Sequence, residues 1–226
     1  MELYSIFPVA IGKDVINLNA TYKSLLINNI QEQEEKNKSN TDRVWTGDEN
    51  NNEYLHNENL FNSLYVQINE KIQSYITSLG YNPQDFSIYF QRSWATVSRI
   101  SQKILLHSHQ QSHLSFAYYL SLPEGSGNLE FNNDRSYMEI INGSFDKPEL
   151  LLKLTKNLNS FNAPNVTIGI KEDEIYIFPS KLKHKTNPGS NTMPRISLSS
   201  DIVITLNENF KNTEAGMADI SNWKKF

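Results

Sequence analysis

The chain of 226 residues contains no cysteine. This absence excludes disulfide bonds, thiolate zinc sites and thiol nucleophiles, so any metal has to bind histidine, aspartate, glutamate or neutral oxygen. No apolar run approaches the roughly 18 residues needed to cross a bilayer, and residues 1–19 are too polar and too interrupted for a secretory signal. We therefore expect a soluble, cytoplasmic protein with no membrane partner.

The sequence also lacks a basic block. Its 21 Lys and Arg residues against 25 Asp and Glu residues give a formal net charge of −4 and a pI near 5.8. Nucleic-acid binding depends on clustered basic side chains that neutralise phosphates, so nucleic acid is not an expected partner. The length fits one large domain or two small ones, with room for one sizeable core.

The N-terminal third has one strand-like and two helical segments. The stretch YSIFPVA at residues 4–10 predicts a short opening strand, and residues 21–34 predict a helix. Between residues 59 and 80, apolar side chains recur at three- and four-residue steps, with asparagines near the start and a glycine at the end. This pattern is the strongest helix signal in the chain. The polar stretch between the helices is expected to form an extended excursion from the core, held in place by Val44 and Trp45.

After Pro83 the chain changes to short β-type runs separated by turn residues. These runs occupy residues 85–94, 112–122, 127–131, 165–170, 174–180 and 195–206. Such a series is typical of an all-β sandwich or jelly roll with helices packed on one face. Residues 132–164 form a long insertion with a short helix near residues 148–157, and insertions of this length are often lids or binding loops.

The chain divides accordingly into three parts. Residues 1–86 are expected to form an N-terminal strand and helices packed on the core, and residues 87–207 the β core itself. Within the core, residues 132–164 are a candidate lid. Residues 208–226 form a polar C-terminal tail.

Three of the five histidines lie within seven residues, in HSHQQSH at 107–113. Because side chains two apart in a strand point the same way, His107 and His109 are expected to converge, as two ligands of one metal ion must. A histidine pair at this spacing, taken alone, is more often exposed or hydrogen-bonded than bound to metal. His113 is expected to lie behind the site or to face solvent, since the intervening QQS interrupts the strand.

The strand that follows the histidines has one small polar face and one bulky face. The small polar side carries Ser115, Ala117, Tyr119 and Ser121, and the bulky side carries Phe116, Tyr118, Leu120 and Leu122. We expect the polar side to line a ligand cavity and the bulky side to pack against the helices. Trp94 is expected in the core, with the wall of that cavity as an alternative.

A distant element, at residues 174–206, supplies the rest of the pattern. His184 follows a buried-looking strand, and Arg195 and Ser197 share one face of the next strand. An arginine that points into a small β fold is costly unless it meets an anion. A guanidinium can hold a carboxylate through two parallel hydrogen bonds. The interior is therefore expected to contain a metal and, near it, a bound carboxylate.

With these residues in place, the sequence resembles the Fe(II)- and 2-oxoglutarate-dependent oxygenases. The segments HSHQQSHLSFAYYLSLPEGSGNLEFNNDR and IYIFPSKLKHKTNPGSNTMPRISLS are similar to a 2OG-Fe(II) oxygenase family of marine bacteria and their phages. The resemblance covers about half of the chain, from Trp94 to Leu206. It implies a double-stranded β-helix core, which is a cupin-like jelly roll, together with iron as metal and 2-oxoglutarate as co-substrate. A phage-encoded member would act in the host cytoplasm.

The same resemblance assigns the site residues. It implies iron ligands at His107, His109 and His184, and clamps for 2-oxoglutarate at Arg195, Ser197 and Tyr119. Most superfamily members have a carboxylate where this chain has His109. Three neutral ligands leave the charge of the ion uncompensated, although cupin-like dioxygenases with three histidines do hold iron. Glu130 or Asp134 is a candidate for the missing carboxylate.

Three hypotheses for the function remain open at this point. The first is a hydroxylase-type dioxygenase, an oxidoreductase that acts on an unknown substrate. The second is a non-catalytic, metal-binding jelly-roll module associated with a phage or virion. The third is a cupin-type three-histidine metalloenzyme that does not use 2-oxoglutarate. All three share the β core, so the fold alone does not separate them. The sequence specifies neither the substrate nor the oligomeric state.

Overall fold

The computed structural model describes residues 1–37, 43–207, 220 and 223–225. Within these residues the helices are α1 (Ala20–Lys36), α2 (Asn62–Ser78) and α3 (Pro148–Leu154). The strands are β1 (Gly12–Val15), β2 (Trp45–Thr46), β3 (Phe86–Ser98), β4 (Leu114–Ser121), β5 (Leu129–Asn132), β6 (Asn165–Ile168), β7 (Glu174–Pro179), β8 (His184–Thr186) and β9 (Arg195–Leu206). None of the described helices is both long and apolar enough to cross a membrane.

The strands form two antiparallel sheets. The larger sheet has the order β1-β7-β4-β9-β3-β2, and the smaller sheet has the order β6-β5-β8. From β4 onward the chain passes back and forth between the two sheets, so strands that are neighbours in space are distant in sequence. This winding is that of a double-stranded β-helix, or jelly roll. The predicted fold class is confirmed.

Helices α1 and α2 pack against the larger sheet. A cluster of fully buried side chains joins Leu26 and Ile30 of α1 and Ile68 and Ile72 of α2 to Tyr118 of β4. The apolar stripe of α2 therefore faces the sheet, as its three- and four-residue periodicity predicts. Burial of such side chains from water is the main source of stability for this layer.

The strongest predicted helix is confirmed, with a modified start. Residues 59–61 form a short 3₁₀ turn before α2, and no side chain caps the first turn, so the predicted asparagine cap is wrong. At the other end Gly80 has a φ of 88°, which a glycine adopts without strain. This conformation lets its N–H donate to the Thr77 carbonyl, while the Tyr81 N–H donates to the Ile76 carbonyl. The helix ends where the glycine predicts.

The predicted opening strand at residues 4–10 is wrong. Strand β1 begins later, at Gly12, and pairs with β7. Pro8 has no N–H for a strand ladder, and Phe7 has a φ of 55°, outside the extended region. The two short strands β2 and β8 were not predicted, because two or three residues show no alternation.

Strand β4 has two faces, as its alternation predicts. Phe116, Tyr118 and Leu120 belong to the cluster that contains the helices, whereas Ala117 and Tyr119 pack in a second cluster. The prediction fails at Leu122, which packs in the second cluster and not with the helices. The pairing of β4 with β9 shifts by one residue between Tyr119 and Ser121. This β-bulge ends the simple alternation before Leu122 is reached.

The insertion at residues 132–164 contains α3, close to the predicted position. Its described contacts include the N-terminal segment: the Arg135 guanidinium donates to the Phe7 carbonyl at 3.2 Å, and residues of both segments line one groove. The role of the insertion as a lid stays a prediction, as do the domain boundaries at residues 86 and 207. The predicted tail at 208–226 lies almost entirely outside the described residues.

The helix layer is tested by a pair of substitutions in α2. Ile68→Ala removes a fully buried side chain and is expected to lower the free energy of unfolding by about 2–5 kcal/mol. Val66→Ala in the same helix removes an exposed side chain and is expected to change it by less than about 0.5 kcal/mol. Urea denaturation of the full chain measures both values. Equal losses in the two variants would contradict the assigned packing face.

Candidate metal centre

Three histidines meet at one point between the sheets. One ring nitrogen from each of His107, His109 and His184 lies within 4.8 Å of the other two. The ring centroids of His107 and His184 are 4.3 Å apart, and those of His109 and His184 are 5.4 Å apart. Bonds from a metal ion to histidine nitrogen are about 2.0–2.1 Å long. Two nitrogens bound to one ion at that length lie at most about 4.2 Å apart, so the three rings can share an ion after small side-chain movements.

Backbone hydrogen bonds bring the three residues together. The His107 N–H donates to the His184 carbonyl at 3.0 Å, and the His184 N–H donates back to the His107 carbonyl at 2.9 Å. The His109 N–H donates to the Ser180 carbonyl at 2.9 Å. His107 and His109 precede β4, so their convergence comes from these bridges and not from one continuous strand. The predicted convergence of His107 and His109 is confirmed, although the local structure is a bridged loop and not a strand.

The outer nitrogens of His107 and His184 are both occupied. Nδ1 of His107 lies 2.8 Å from the Leu105 carbonyl, and Nδ1 of His184 lies 2.9 Å from the Leu182 carbonyl. A carbonyl oxygen only accepts hydrogen bonds, so the Nδ1 atom has to carry the proton. Nε2 of each ring then holds a free lone pair, which is the form that binds a metal ion.

Burial keeps these two rings neutral. Burial, reinforced by the nearby His107 and His109 rings, lowers the pKa of His184 to about 3. Burial likewise lowers the pKa of His107 below its usual value. Metal ligation requires the neutral imidazole, so both rings are in the binding form at neutral pH.

The third histidine has a different partner. Nδ1 of His109 lies 2.8 Å from Oδ1 of Asp201, a carboxylate that is almost fully buried. The other oxygen of Asp201 accepts from Arg92, whose Nε lies 2.9 Å away. Burial alone would raise the pKa of Asp201, but the hydrogen bond from His109 and the charge of Arg92 hold that pKa below its usual range. Asp201 is therefore an anion that supports His109.

Neither of the predicted alternative carboxylates lies at the site. Glu130 pairs with Lys185 at 3.0 Å and accepts from the Thr167 hydroxyl, while Asp134 lies 3.9 Å from Lys183. Sequence reasoning missed Asp201, although the signal was present. In RISLSSD, residues 195, 197, 199 and 201 lie on one face of β9, so Asp201 is on the same face as Arg195.

A cavity of about 480 Å³ extends from the histidines. Its wall includes the three histidines and the three residues predicted to hold a carboxylate, together with Trp94, Thr96, Leu129 and Phe178. Trp94 is buried, as expected of a core residue, and it also forms part of the cavity wall. Asp48 and Glu49 also line the cavity, and they come from the polar excursion after α1.

Arg195 is buried in this cavity without a full set of partners. Only 4% of its surface is exposed. The Nη1 atom of Arg195 donates to the Gly127 carbonyl at 3.0 Å. Its Nε atom has no hydrogen-bond partner among the described residues. Burial lowers the pKa of Arg195 from its ordinary value. A buried guanidinium with an unpaired donor is the group that an incoming carboxylate would complete.

Tyr119 and Ser197 flank this guanidinium. The Tyr119 ring centroid lies 5.4 Å from Arg195 Cζ, and Ser197 is paired in register with Tyr119 on one side and with Thr96 on the other. Burial raises the pKa of Tyr119 to about 12, so its hydroxyl keeps its proton and can donate. Sequence reasoning missed Thr96, although it has the same parity as Trp94 in β3.

His113 lies outside the cluster, as expected. It is exposed, and its Nδ1 accepts from the Ile204 N–H at 2.8 Å. The prediction that it faces solvent is confirmed.

The sequence family agrees with this fold and site. A family model described as "Putative 2OG-Fe(II) oxygenase" matches residues 92–201, a range that contains all six of the predicted site residues. No curated protein matches the chain in sequence. Over these residues the chain is similar to that family, and the resemblance seen in the sequence is supported.

Solved structures of the same fold are distant in sequence. The α-ketoglutarate-dependent carbocyclase SnoK from nogalamycin biosynthesis has a TM-score of 0.58 at 11% identity, over 92% of this chain and 88% of that chain. HygX from Streptomyces hygroscopicus has a TM-score of 0.54 at 8% identity, over 86% and 82%. A Pseudomonas putida prolyl-4-hydroxylase has a TM-score of 0.53 at 9% identity, over 86% and 92%. At these identities the likeness shows the double-stranded β-helix fold alone.

Removal of His184 tests the metal centre. His184→Ala is expected to abolish stoichiometric binding of Fe(II) or Mn(II). The two histidines that remain are too few protein ligands to hold the ion. Equilibrium dialysis with metal analysis measures the bound ion. His113→Ala removes a histidine of the same segment that lies outside the cluster, and its metal content should equal that of the unmodified protein. Full metal occupancy in His184→Ala would refute the three-histidine site.

Proposed function

We propose that the chain is a non-haem Fe(II)- and 2-oxoglutarate-dependent dioxygenase that hydroxylates its substrate. The observation that carries the proposal is one cavity with two complementary features. At one place ring nitrogens of three histidines converge, and at another a buried guanidinium has an unpaired donor. The first arrangement suits a metal ion, and the second suits the far carboxylate of a dicarboxylic co-substrate.

His107, His109 and His184 would hold the iron through Nε2. Their Nδ1 atoms are engaged by Leu105, Asp201 and Leu182, which fixes each ring in the orientation that the metal needs. When bound together, iron and 2-oxoglutarate supply the oxidising chemistry, in which O₂ is consumed, the co-substrate is decarboxylated to succinate and a C–H bond is hydroxylated. The protein provides the geometry for that chemistry.

Arg195, Ser197 and Tyr119 would hold the far carboxylate of 2-oxoglutarate. The guanidinium offers Nε, and the two hydroxyls are donors on its flanks. Hydrogen bonds of this kind are stronger in a buried site than in water. The Gly127 carbonyl fixes the arginine from behind through Nη1, so the clamp is ordered before the co-substrate arrives. HygX, which shares the fold, has nickel and 2-oxoglutarate bound in its structure, which supports 2-oxoglutarate as the co-substrate.

Apolar side chains would keep water out between the two features. Trp94, Leu129 and Phe178 line the cavity and are buried. A dry wall strengthens the electrostatic contacts of the clamp. The substrate would enter past Asp48 and Glu49, since both line the cavity from a short 3₁₀ helix and neither is fully buried.

The set of three histidine ligands favours a second candidate function, that of a cupin-type metalloenzyme. Three neutral histidines are the ligands of cupin-type metalloenzymes, in which 2-oxoglutarate has no part. The buried Arg195 argues for the first function, because a site without an anionic co-substrate leaves its Nε unpaired. The two proposals differ in one measurable property, which is the affinity of the metal-loaded protein for 2-oxoglutarate.

Anaerobic titration with Fe(II) and 2-oxoglutarate separates these functions. The dioxygenase is expected to show a weak visible charge-transfer band that saturates with 2-oxoglutarate. Arg195→Met should weaken 2-oxoglutarate binding by about 10- to 100-fold, because a charge-assisted hydrogen bond contributes roughly 1.5–3 kcal/mol. Binding of 2-oxobutyrate, which lacks the far carboxylate, should hardly change in the same variant.

Arg135→Met is the matched control, since this arginine contacts Phe7 and lies outside the cavity. Its affinity for both oxo acids should equal that of the unmodified protein. An iron-loaded protein that shows no band with 2-oxoglutarate would support the cupin-type function. A band with unchanged 2-oxoglutarate affinity in Arg195→Met would remove Arg195 from the clamp.

A further inference from the structure

The three histidines of the cluster differ in what supports them. Behind His107 and His184 stand neutral backbone carbonyls. Behind His109 stands the carboxylate of Asp201, 2.8 Å from Nδ1. The one anionic support is therefore attached to the position at which the sequence departs from the usual carboxylate ligand.

Asp201 is held in place by several contacts. It lies opposite Arg92 in the register of β3 and β9, and Nε and Nη2 of Arg92 both donate to its Oδ2. Arg92 in turn stacks over Trp94, at 5.3 Å from the ring, and Trp94 lies 5.8 Å from the His109 ring. The four side chains form a closed group around one buried carboxylate. Asp201 cannot turn away from His109 without leaving Arg92.

We propose that Asp201 is a positioning residue that supplies negative charge to the metal through the His109 imidazole, in place of a carboxylate bound directly to the ion. This inference rests on the proposed metal centre. The His109 Nδ1–H donates to Asp201 Oδ1, and this polarises the ring so that Nε2 is a stronger donor to a cation. The charge that three neutral ligands lack is thereby provided from 2.8 Å behind one of them.

Arg92 limits how much of that charge reaches the metal. Its guanidinium binds the oxygen of Asp201 that His109 does not use. The side chain of Arg92 is 43% exposed, whereas that of Asp201 is 4% exposed. Solvent therefore screens the positive partner more than the buried anion. The loss of Asp201 is therefore expected to weaken metal binding, whereas the loss of Arg92 is not.

Binding of Mn(II) alone to the full chain, measured by calorimetry, tests the proposal. Asp201→Asn keeps an oxygen that can accept from Nδ1–H and removes only the charge, so affinity is expected to fall by about 10- to 100-fold. Arg92→Met frees the carboxylate from its positive partner, so affinity is expected to equal or exceed that of the unmodified protein. A purely structural role for the pair predicts a loss in both variants.

Glu34→Gln is the matched control. Glu34 is also a buried carboxylate, and it is paired with both Nη atoms of Arg99. Its loss should lower the melting temperature and leave Mn(II) affinity unchanged. Asp201→Asn combined with His109→Asp is the rescue variant. It moves the carboxylate onto the ion and is expected to regain most of the affinity lost in Asp201→Asn.

The outcomes separate this inference from the proposed function. If the unmodified protein does not bind Mn(II), the proposed metal centre fails. If it binds Mn(II) and the folded Asp201→Asn variant binds equally well, the charge role of Asp201 is refuted and the metal centre stands. If Asp201→Asn does not fold, Arg92→Met decides, since a tenfold weaker affinity there would overturn the proposal.

Discussion

Two hydrogen bonds between the backbones of His107 and His184 are the contact on which the site depends. They join residues 77 positions apart and fix the two rings 4.3 Å from each other. The bridge is made by main-chain atoms, so it does not depend on the imidazole rings themselves. It also ties the loop before β4 to the smaller sheet, through β8. The metal centre is thus a consequence of how the two sheets close on one another.

Much of the fold was readable from the sequence, because it depends on periodicity. The stripe of α2 and the two faces of β4 follow from the spacing of apolar residues. The failures have local causes: Pro8 and Phe7 break the expected opening strand, and the bulge after Tyr119 displaces Leu122. A bulge depends on pairing with a distant strand, which a single segment of sequence does not reveal.

The candidate site was predictable where residue types are chemically distinctive. Three histidines and an inward arginine are unusual enough to be noticed, and the structure brings them to one cavity. Asp201 was missed because it lies 92 positions after His109, and nothing in the spacing links the two. Its parity with Arg195 on β9 was visible, but parity shows a shared face and not a partner. Contacts between distant strands require the register, which only the three-dimensional structure supplies.

The bulge in β4 has a consequence for how this chain can vary. On one side of the bulge Tyr119 faces the cavity, and on the other Leu122 packs in the cluster to which Tyr119 belongs. A one-residue insertion or deletion anywhere before it in β4 would exchange the cavity face for the face that packs on the helices. Changes in length are therefore tolerated better outside the paired strands, for example in residues 133–164, which connect β5 to β6.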